Sequence, residues 1–369
     1  MIRVLHIISN LEPGGAEIML DKVIANLDSS RFEQVVVSLG NRGSLAAGME
    51  AAGAKVHALN LRPNPAVLFS GFRQLRKIAR EFVPNWIQGW MVHGNLFAHF
   101  AAKAAPSAKV AWNLRHTLDI LTHEKLRTRA LIRFSVPFSK KAHVIVSNSV
   151  AGSRDHEAIG YPEPKRRVIT NGFDAERFKP DEKARREWRT KLEIPEETIV
   201  IGNSARFHPM KHQTQIVRAL AKLPDVHAII MGRGISDNPQ LLELASELGV
   251  SDRLHLLGHQ DAVESVYAAL DIYCLSSQSV EGFPTAVAEA MACGVPAVVT
   301  DVGDAAEIVA ETGIVVSPRD LDALVEGLNR MFQMDPKSLS SACRERVVTQ
   351  YALAKVIAEY ESLYASSGA

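Results

Sequence analysis

The sequence predicts an α/β protein built from two doubly wound parallel-sheet domains facing a central cleft. Three observations carry this. Short, near-continuous apolar runs alternate with helical patterns along the whole chain, as expected of parallel strands covered by helices on both faces. The alternation restarts after Asn171-Gly172-Phe173-Asp174 and a charged, helical stretch ending near Pro195. The chain has 369 residues, more than one hydrophobic core usually serves.

In the first half the clearest strands read as Val4–Ser9, Gln34–Leu39, Lys55–Leu61, Trp86–Trp90, Lys109–Leu114 and His143–Ser147. Between them lie stretches such as Glu17–Leu27, where Leu20, Val23, Ile24 and Leu27 recur at helical spacing. In the second half the strands read as Thr198–Asn203, Val226–Met231, Arg253–Leu257, Ile272–Ser276, Pro296–Thr300 and Gly313–Val316. The last segment, Val347 to Tyr364, reads as helix with Val356, Ile357, Tyr360 and Leu363 on one stripe.

Apolar residues make up 47% of the chain and charged residues 22%, which describes a globular protein and excludes disorder. The net charge of +1 gives no global field toward nucleic acid, so any charge-driven partner must meet a local patch. Cys274, Cys293 and Cys343 are far apart and form no CxxC pair, which fits a reducing, cytoplasmic setting and argues against zinc or disulfides. The segment Met1 to Asn10 reads as a strand rather than a signal peptide. No run of eighteen apolar residues occurs, so the expected membrane contact is peripheral at most.

Ligands of parallel α/β sheets bind beyond the carboxyl ends of the strands, and three such loops hold suitable chemistry. The first strand leads into Pro13-Gly14-Gly15-Ala16-Glu17 and a helix. Paired glycines with positive φ would let the backbone approach a phosphate at the helix N-terminus, or form a plain turn capped by Glu17. The first strand of the second set leads into Arg206-Phe207-His208-Pro209-Met210-Lys211. Two cations five residues apart can bracket a diphosphate, or can be ordinary surface charges.

The most informative stretch runs from Ser276 to Glu289. Glu281 sits in a Gly/Pro-interrupted loop and Glu289 two turns into the next helix, so both can face one ligand. Carboxylates suit sugar and ribose hydroxyls, which need acceptors. Between them Phe283, Pro284, Thr285 and Ala286 open a helix whose N-terminus suits a distal phosphate. The plain readings are a capping acid for Glu281 and an exposed helix face for Glu289.

His116 follows a strand and points toward the expected cleft; His93 and His99 follow the preceding one. Each can be catalytic or structural. Asp320-Leu321-Asp322 resembles a metal-binding DxD but opens a helix, where Asp is a cap, so no metal site is read. Gly232-Arg233-Gly234 is a glycine turn after a strand, and Ser147-Asn148-Ser149 caps the next helix. Lys125, Arg127, Arg129, Arg133, Lys140 and Lys141 face only Glu124, with Leu131, Ile132, Phe134 and Phe138 between them. That stretch is either a solvated basic face or a peripheral contact with an anionic bilayer.

In their order and spacing these pieces resemble the large family 4 of retaining glycosyltransferases, which have the GT-B fold of two Rossmann-like domains. The resemblance runs through Gly14-Gly15-Ala16-Glu17, Asn171-Gly172-Phe173-Asp174, Arg206 and Lys211, Gly232-x-Gly234, Glu281-Gly282-Phe283-Pro284 and Glu289 to Pro296. It implies that Arg206 and Lys211 neutralise the donor diphosphate, Glu289 binds ribose hydroxyls and Glu281 holds hydroxyls of the transferred sugar. It also implies that Gly14 and Gly15 close on phosphate and that His116 sits by the sugar near the reacting carbon. Gly232, Phe283, Pro284, Thr285 and Ala286 join the donor-binding positions.

The family's C-terminal helix crosses back to the first domain. The implied division is therefore 1–170 plus about 347–369 for the acceptor-side domain, and 171–346 for the donor-binding domain, with a hinge near Asn171-Gly172. The implied donor is a nucleotide-sugar, most commonly a UDP-sugar, with no metal or other cofactor. The implied acceptor is a glycan, a lipid-linked sugar or a polysaccharide precursor. One departure is local: Pro209-Met210 precede Lys211, and His212 stands where the family often has Gly.

Three other readings compete. A non-catalytic subunit that binds a nucleotide-sugar or glycan would not need Arg206, Lys211, Glu281 and Glu289 together. A nucleotide-sugar epimerase needs acid/base residues that have no clear place here. A dinucleotide oxidoreductase needs a GxGxxG fingerprint that neither glycine loop has.

Overall fold

The computed structural model describes residues 1–115, 117–118, 126–279 and 281–366. It divides into two compact units, one formed by Met1–Gly172 with Ala354–Ala369 and the other by Phe173–Leu353.

The first unit opens with β1 (Ile2–Ile8), α1 (Gly15–Asn26), β2 (Phe32–Ser38), α2 (Ala46–Ala51) and β3 (Lys55–Ala58). It continues through α3 (Pro65–Phe82), β4 (Trp86–Trp90), α4 (Met91–Ala102), β5 (Lys109–Leu114) and α5 (Leu126–Ser139) to β6 (Val144–Ser147), α6 (Val150–Ala158) and β7 (Arg166–Val168). These strands make one seven-stranded sheet in the order β3-β2-β1-β4-β5-β6-β7, with every pairing parallel. Its central strands are buried along nearly their whole length, which is why they read as unbroken apolar runs.

The second unit runs α7 (Glu182–Lys191), β8 (Ile199–Ser204), α8 (Gln213–Ala221), β9 (Val226–Met231), α9 (Pro239–Glu247) and β10 (Leu254–Leu257). There follow α10 (Val263–Tyr267), β11 (Ile272–Leu275), α11 (Thr285–Ala292), β12 (Ala297–Thr300), α12 (Ala305–Val309), β13 (Ile314–Val316), α13 (Leu321–Gln333) and α14 (Pro336–Tyr351). Its six-stranded parallel sheet has the order β10-β9-β8-β11-β12-β13. The chain builds outward from β8 in one direction and from β11 in the other. The gap between β8 and β11 is therefore the topological switch point, where the loops diverge and leave a crevice.

The expected single helix from Val347 to Tyr364 is instead two helices, α14 and α15 (Leu353–Ala365), broken at Ala352 with ψ of 143°. The backbone of Phe173 takes over the helical hydrogen bonds: its N–H donates to the Tyr351 carbonyl at 3.3 Å, and its own carbonyl accepts from Leu353 N–H at 2.8 Å. Cys343, Val347 and Tyr351 stay with the core of the second unit, so the chain returns to the first only from Ala354. There α15 buries the stripe read from the sequence, Val356, Ile357, Tyr360 and Leu363. Asn113 Nδ2 donates to the Tyr360 hydroxyl at 3.0 Å, and Trp86 Nε1 donates to the Tyr364 carbonyl at 2.9 Å.

Among the described residues no helix is long and apolar enough to cross a membrane.

Candidate donor site in the second unit

Three loops meet at the carboxyl ends of the adjacent strands β9, β8 and β11. The first follows β8. Its backbone continues beside the end of β9: Ala205 N–H donates to Met231 O at 3.0 Å and Phe207 N–H to Arg233 O at 2.9 Å. This approach explains Gly232. Its φ is +142°, and a Cβ there would lie 2.1 Å from the Ala205 carbonyl oxygen, so only glycine fits. Arg206 emerges from this ladder, its carbonyl held by Gln213 Nε2 at 3.1 Å. Its guanidinium is exposed and has no acidic partner among the described residues.

Lys211 closes the same loop in a single 3-10 turn (Pro209–Lys211) whose first N–H group is capped by His208 Nδ1. His212 then adopts φ +52° and ψ +40°, the left-handed region that a glycine would enter without strain. The substitution for glycine noted in the sequence therefore leaves the turn intact. His208 is held below its usual pKa by partial burial and then by the Arg206 and Lys211 charges.

The loop after β11 is stitched onto this turn. Ser276 Oγ donates to the Lys211 carbonyl at 2.8 Å, Gln278 N–H to Met210 O at 2.8 Å and Gln278 Nε2 to Pro209 O at 2.9 Å. Glu281 is buried and its Oε1 accepts from both the Lys211 ammonium and Ser277 Oγ. Glu281 is thus the ion-pair partner of Lys211 and not the cap of α11, where Pro284 is the N-cap residue and supplies no side-chain hydrogen bond. Glu281 Oε2 has no partner among the described residues.

Behind this loop Gly303 (φ +57°) packs on the backbone of Glu281 and Gly282, where a Cβ would lie 2.1 Å from the Glu281 carbonyl. Asp304 N–H donates to Gly282 O at 2.9 Å, and Thr300 Oγ1 to Ser277 O at 2.7 Å.

Glu289 is half-buried on α11, so the plain reading of an exposed face does not hold. Its charge and that of Glu281 both reach the Tyr273 hydroxyl, whose pKa rises first through burial and also through these two carboxylates. Tyr273 in turn fixes the end of β8, accepting from Ser204 N–H at 3.2 Å and donating to Ser204 O at 3.3 Å. Arg177 also feels Glu289, while it pairs with Glu264 at 2.8 Å.

Two donor-binding positions need correcting as side chains. Phe283 is buried and packs edge-on against Tyr351 with centroids 5.0 Å apart, and Pro284 is buried beside it. They hold the loop from below and leave Thr285 and Ala286, both half-buried, at the N-terminus of α11. Ser277, Tyr273 and Gly303 were not singled out by sequence reasoning. Their roles depend on contacts across strands, and only the glycine after a strand end, in Asp301-Val302-Gly303-Asp304, carries a local signal.

In the first unit Gly14 is the N-cap of α1, with φ −150°, and neither Gly14 nor Gly15 has positive φ. The expected left-handed turn is absent because the chain enters α1 directly from an extended residue. The space beside Gly14 is taken by Glu17, whose Oε2 lies 2.5 Å from where a Cβ would stand. Burial raises the pKa of Glu17. No Cβ clash restricts Gly15.

His116 lies outside the described residues, as do Asp119, Glu124 and Lys125. His99 packs edge-on against Phe100 and Phe138, a structural role, and His93 is on α4. Next to His116, Arg115 was missed: it donates to Asn171 Oδ1 at 3.0 Å and lies over the Trp90 ring at 5.1 Å.

Among the described residues no group of three or more His, Cys, Asp or Glu could hold a metal ion. Asp320 caps α13 through Ala323 N–H at 2.9 Å, and Asp322 pairs with Lys222, as the helix-cap reading expects. All three cysteines are buried and free, with burial pushing each thiol up to about 12.

The family model described as Glycosyltransferase Family 4 matches residues 13–177, and that described as Glycosyl transferases group 1 matches residues 184–347. The chain belongs to glycosyltransferase family 4.

The second family segment contains Arg206, Lys211, Gly232, Glu281 and Glu289, and the first contains Gly14, Gly15 and His116. A D-inositol 3-phosphate glycosyltransferase of Mycolicibacterium gilvum is 31% identical over 53% of this chain and 47% of its own length. The chain thus spans about half the length of the first such curated relatives, of which 47%, 42% and 37% is covered. The lipopolysaccharide core biosynthesis mannosyltransferase LpsB of Rhizobium meliloti is 27% identical over 68% of this chain and 79% of its own. Anabaena HepE, solved in complex with UDP, superposes with a TM-score of 0.88 at 22% identity, covering 99% of this chain and 100% of that one. This similarity shows the fold of the chain, GT-B with two Rossmann-like parallel sheets.

Proposed function

We propose that this chain is a retaining glycosyltransferase that moves a sugar from a nucleotide-sugar, a UDP-sugar by preference, to a glycan, a lipid-linked sugar or a polysaccharide precursor. The observation that carries the reading is the pairing at the switch point of the second sheet. There an uncommitted Arg206 guanidinium stands on the same short loop as Lys211, and Lys211 is locked to Glu281 ahead of the α11 N-terminus. The UDP complex of HepE, on the same fold, supports the choice of donor.

The chemistry follows from charge. As the C–O bond to the leaving nucleoside diphosphate breaks, negative charge grows on the phosphate oxygens. Arg206 offers a two-pronged donor set, Lys211 a point charge and the start of α11 oriented amides. Fixed cations can do the work a divalent ion does elsewhere, so the proposed reaction is metal-independent. Glu289 accepts from ribose hydroxyls, and the open oxygen of Glu281 accepts from a hydroxyl of the sugar. His116 is assigned to the sugar by family resemblance, and no protein nucleophile is assigned; same-face attack accounts for retention. The N-terminus of α1, entered through Gly14 and Gly15, supplies further backbone amides for an anionic group.

The test is a thermal-shift panel of UDP-, GDP-, ADP- and TDP-sugars in EDTA, on wild type and Glu289→Ala. A ligand that binds only the folded state raises the midpoint by mass action. Stabilisation by one nucleotide class without metal, lost in the variant, is expected. No shift with any of the four, or one that requires a divalent ion, would sink the donor assignment and favour a non-catalytic glycan-binding subunit.

A further inference from the structure

The chain as a whole is nearly neutral, yet its charges are not evenly placed. Between Arg62 and Arg115 there are eight Lys and Arg and one acid, Glu81; residues 126–141 add five cations and no acid. These segments contain α3, α4 and α5, which neighbour one another in that order across the first unit.

The outward stripe of α3 is unusual. Its inward face buries Gly71, Leu75 and Ala79, as an amphipathic helix should. On the outer face Phe69, Arg73, Arg76, Lys77 and Arg80 recur at spacings of about four and seven, one continuous stripe. The stripe borders an open hollow of about 620 Å³. Phe69 is 67% exposed at the amino end of this cationic row, where a solvated helix would carry a polar residue. Glu81 is the one acid of α3 and faces Lys77 at 3.8 Å, both largely exposed.

A second exposed aromatic belongs to the same surface. Phe134 of α5 is 57% exposed, whereas Ile132, Leu131 and Phe138 turn into the core. Phe134 contacts Phe138 at 5.2 Å, Phe138 contacts Phe100 at 5.9 Å, and Phe100 contacts Phe72 of α3 at 5.8 Å. This ridge of rings joins α5 to α3 across α4, with Lys103 over the Phe100 ring at 5.5 Å, and Arg127, Arg133, Lys140 and Lys141 are exposed and close to Phe134 in the chain. In a parallel β–α–β unit the amino end of α3 lies on the carboxyl side of the sheet, the side that carries Gly14, Gly15 and Arg115.

We propose that the α3–α4–α5 face of the first unit docks on an anionic lipid bilayer, with Phe69 and Phe134 inserting among the acyl chains and the α3 cations meeting lipid phosphates. Aromatics flanked by Lys and Arg with almost no acid match an interfacial surface, apolar below and anionic at the headgroups. The proposal moves the centre of the contact from the 125–141 stretch to α3, and it is independent of donor chemistry. Each cation near such a surface contributes about fivefold to partitioning.

Co-sedimentation with phosphatidylglycerol/phosphatidylcholine vesicles tests it, beside vesicles of phosphatidylcholine alone and soluble dextran sulfate. The wild type should bind only the anionic vesicles, and Arg73→Glu/Arg80→Glu should lower that partitioning by at least about 25-fold. These exposed positions leave the core alone, so both forms should melt at the same temperature. In Phe69→Trp the added tryptophan emission, read against wild type, should shift to the blue on those vesicles. Failure of the wild type to bind anionic vesicles, undiminished binding by the double variant, or no blue shift would each overturn the proposal. Equal affinity for dextran sulfate would instead make the face a site for a soluble polyanion.

Discussion

Gly232→Ala tests whether the Arg206 loop owes its position to its backbone approach to the glycine turn. An alanine Cβ would stand 2.1 Å from the Ala205 carbonyl oxygen and 2.6 Å from its carbon. Real Cβ atoms do not come within 3.0 Å of such atoms, so the loop must retreat by about 1 Å, a misplacement that typically costs on the order of a hundredfold in rate. The hydrogen bonds from Ala205 and Phe207 to Met231 and Arg233 tie the loop to the same turn, so the shift is passed to Arg206 rather than absorbed. The left-handed backbone adds about 1–3 kcal/mol of strain.

Gly234→Ala is the control. Its φ is +75°, but the nearest atom to a new Cβ is Phe207 Cβ at 3.6 Å, an ordinary contact. It should pay backbone strain of about 1–2 kcal/mol and leave Arg206 in place. Titration calorimetry with UDP and initial rates with the donor found in the thermal panel separate the two effects. Gly232→Ala should lose on the order of a hundredfold in kcat/KM and weaken UDP, while Gly234→Ala melts earlier but keeps activity within a few fold. Equal losses in the two variants, or an unimpaired Gly232→Ala, would refute the reasoning.

Two further expectations concern ionisable groups. Lys211→Met strips the partner from buried Glu281 and should destabilise by about 2 kcal/mol, discounted from the fully buried case because Lys211 is 29% exposed; adding Glu281→Gln should recover part of it, giving a coupling of about 1 kcal/mol in a double-mutant cycle by urea unfolding, and strict additivity would mean the pair is not coupled. His6 is fully buried, with its pKa lowered to about 3 by burial, so the unfolded chain takes up the proton first; stability is therefore lost as pH falls below 6.5. Between pH 7 and pH 5 this group should remove about 2 kcal/mol, and His6→Gln, whose amide oxygen can still accept from Trp90 Nε1, should lose that much less in urea melts at the two pH values.

The strands were legible because a parallel sheet covered on both faces demands unbroken apolar runs. Trp86–Trp90, Lys109–Leu114 and Val226–Met231 fall where the sequence puts them, β3 stops at Ala58 instead of Leu61, and others differ by a residue or two at their ends. Helix breaks were not legible. Nothing local marks Ala352 as a break, because the cause is the backbone of Phe173, far away in the chain. The charged members of the candidate donor site stood out because Arg206, Lys211, Glu281 and Glu289 follow strand ends. Their partnerships did not. Pairing between Lys211 and Glu281 depends on β8 and β11 being neighbours, a fact of strand order that spacing cannot encode. Phe283 and Pro284 look the same in sequence whether they point at a ligand or at Tyr351.

That pairing changes what the two cations can each contribute. In the free protein a buried, ionised Glu281 without Lys211 would be costly, so the ion pair fixes both side chains before any donor arrives. Lys211 then adds little net charge, since Glu281 cancels it at contact distance. Arg206 is the cation with no such counterweight among the described residues. Under the proposed donor chemistry, the division suits a site that holds a diphosphate, dianionic in the donor and more negative as it leaves, beside the transferred sugar. Arg206 can meet the diphosphate at once, whereas Lys211 can shift its hydrogen bonds from carboxylate to phosphate as charge accumulates. An interaction that strengthens only as the bond breaks lowers the barrier, while one already complete in the ground state only tightens binding. The same loop, held by Gly232 on one side and by Ser276 and Gln278 on the other, keeps both cations on a rigid base, so little of that stabilisation is spent on reorganisation.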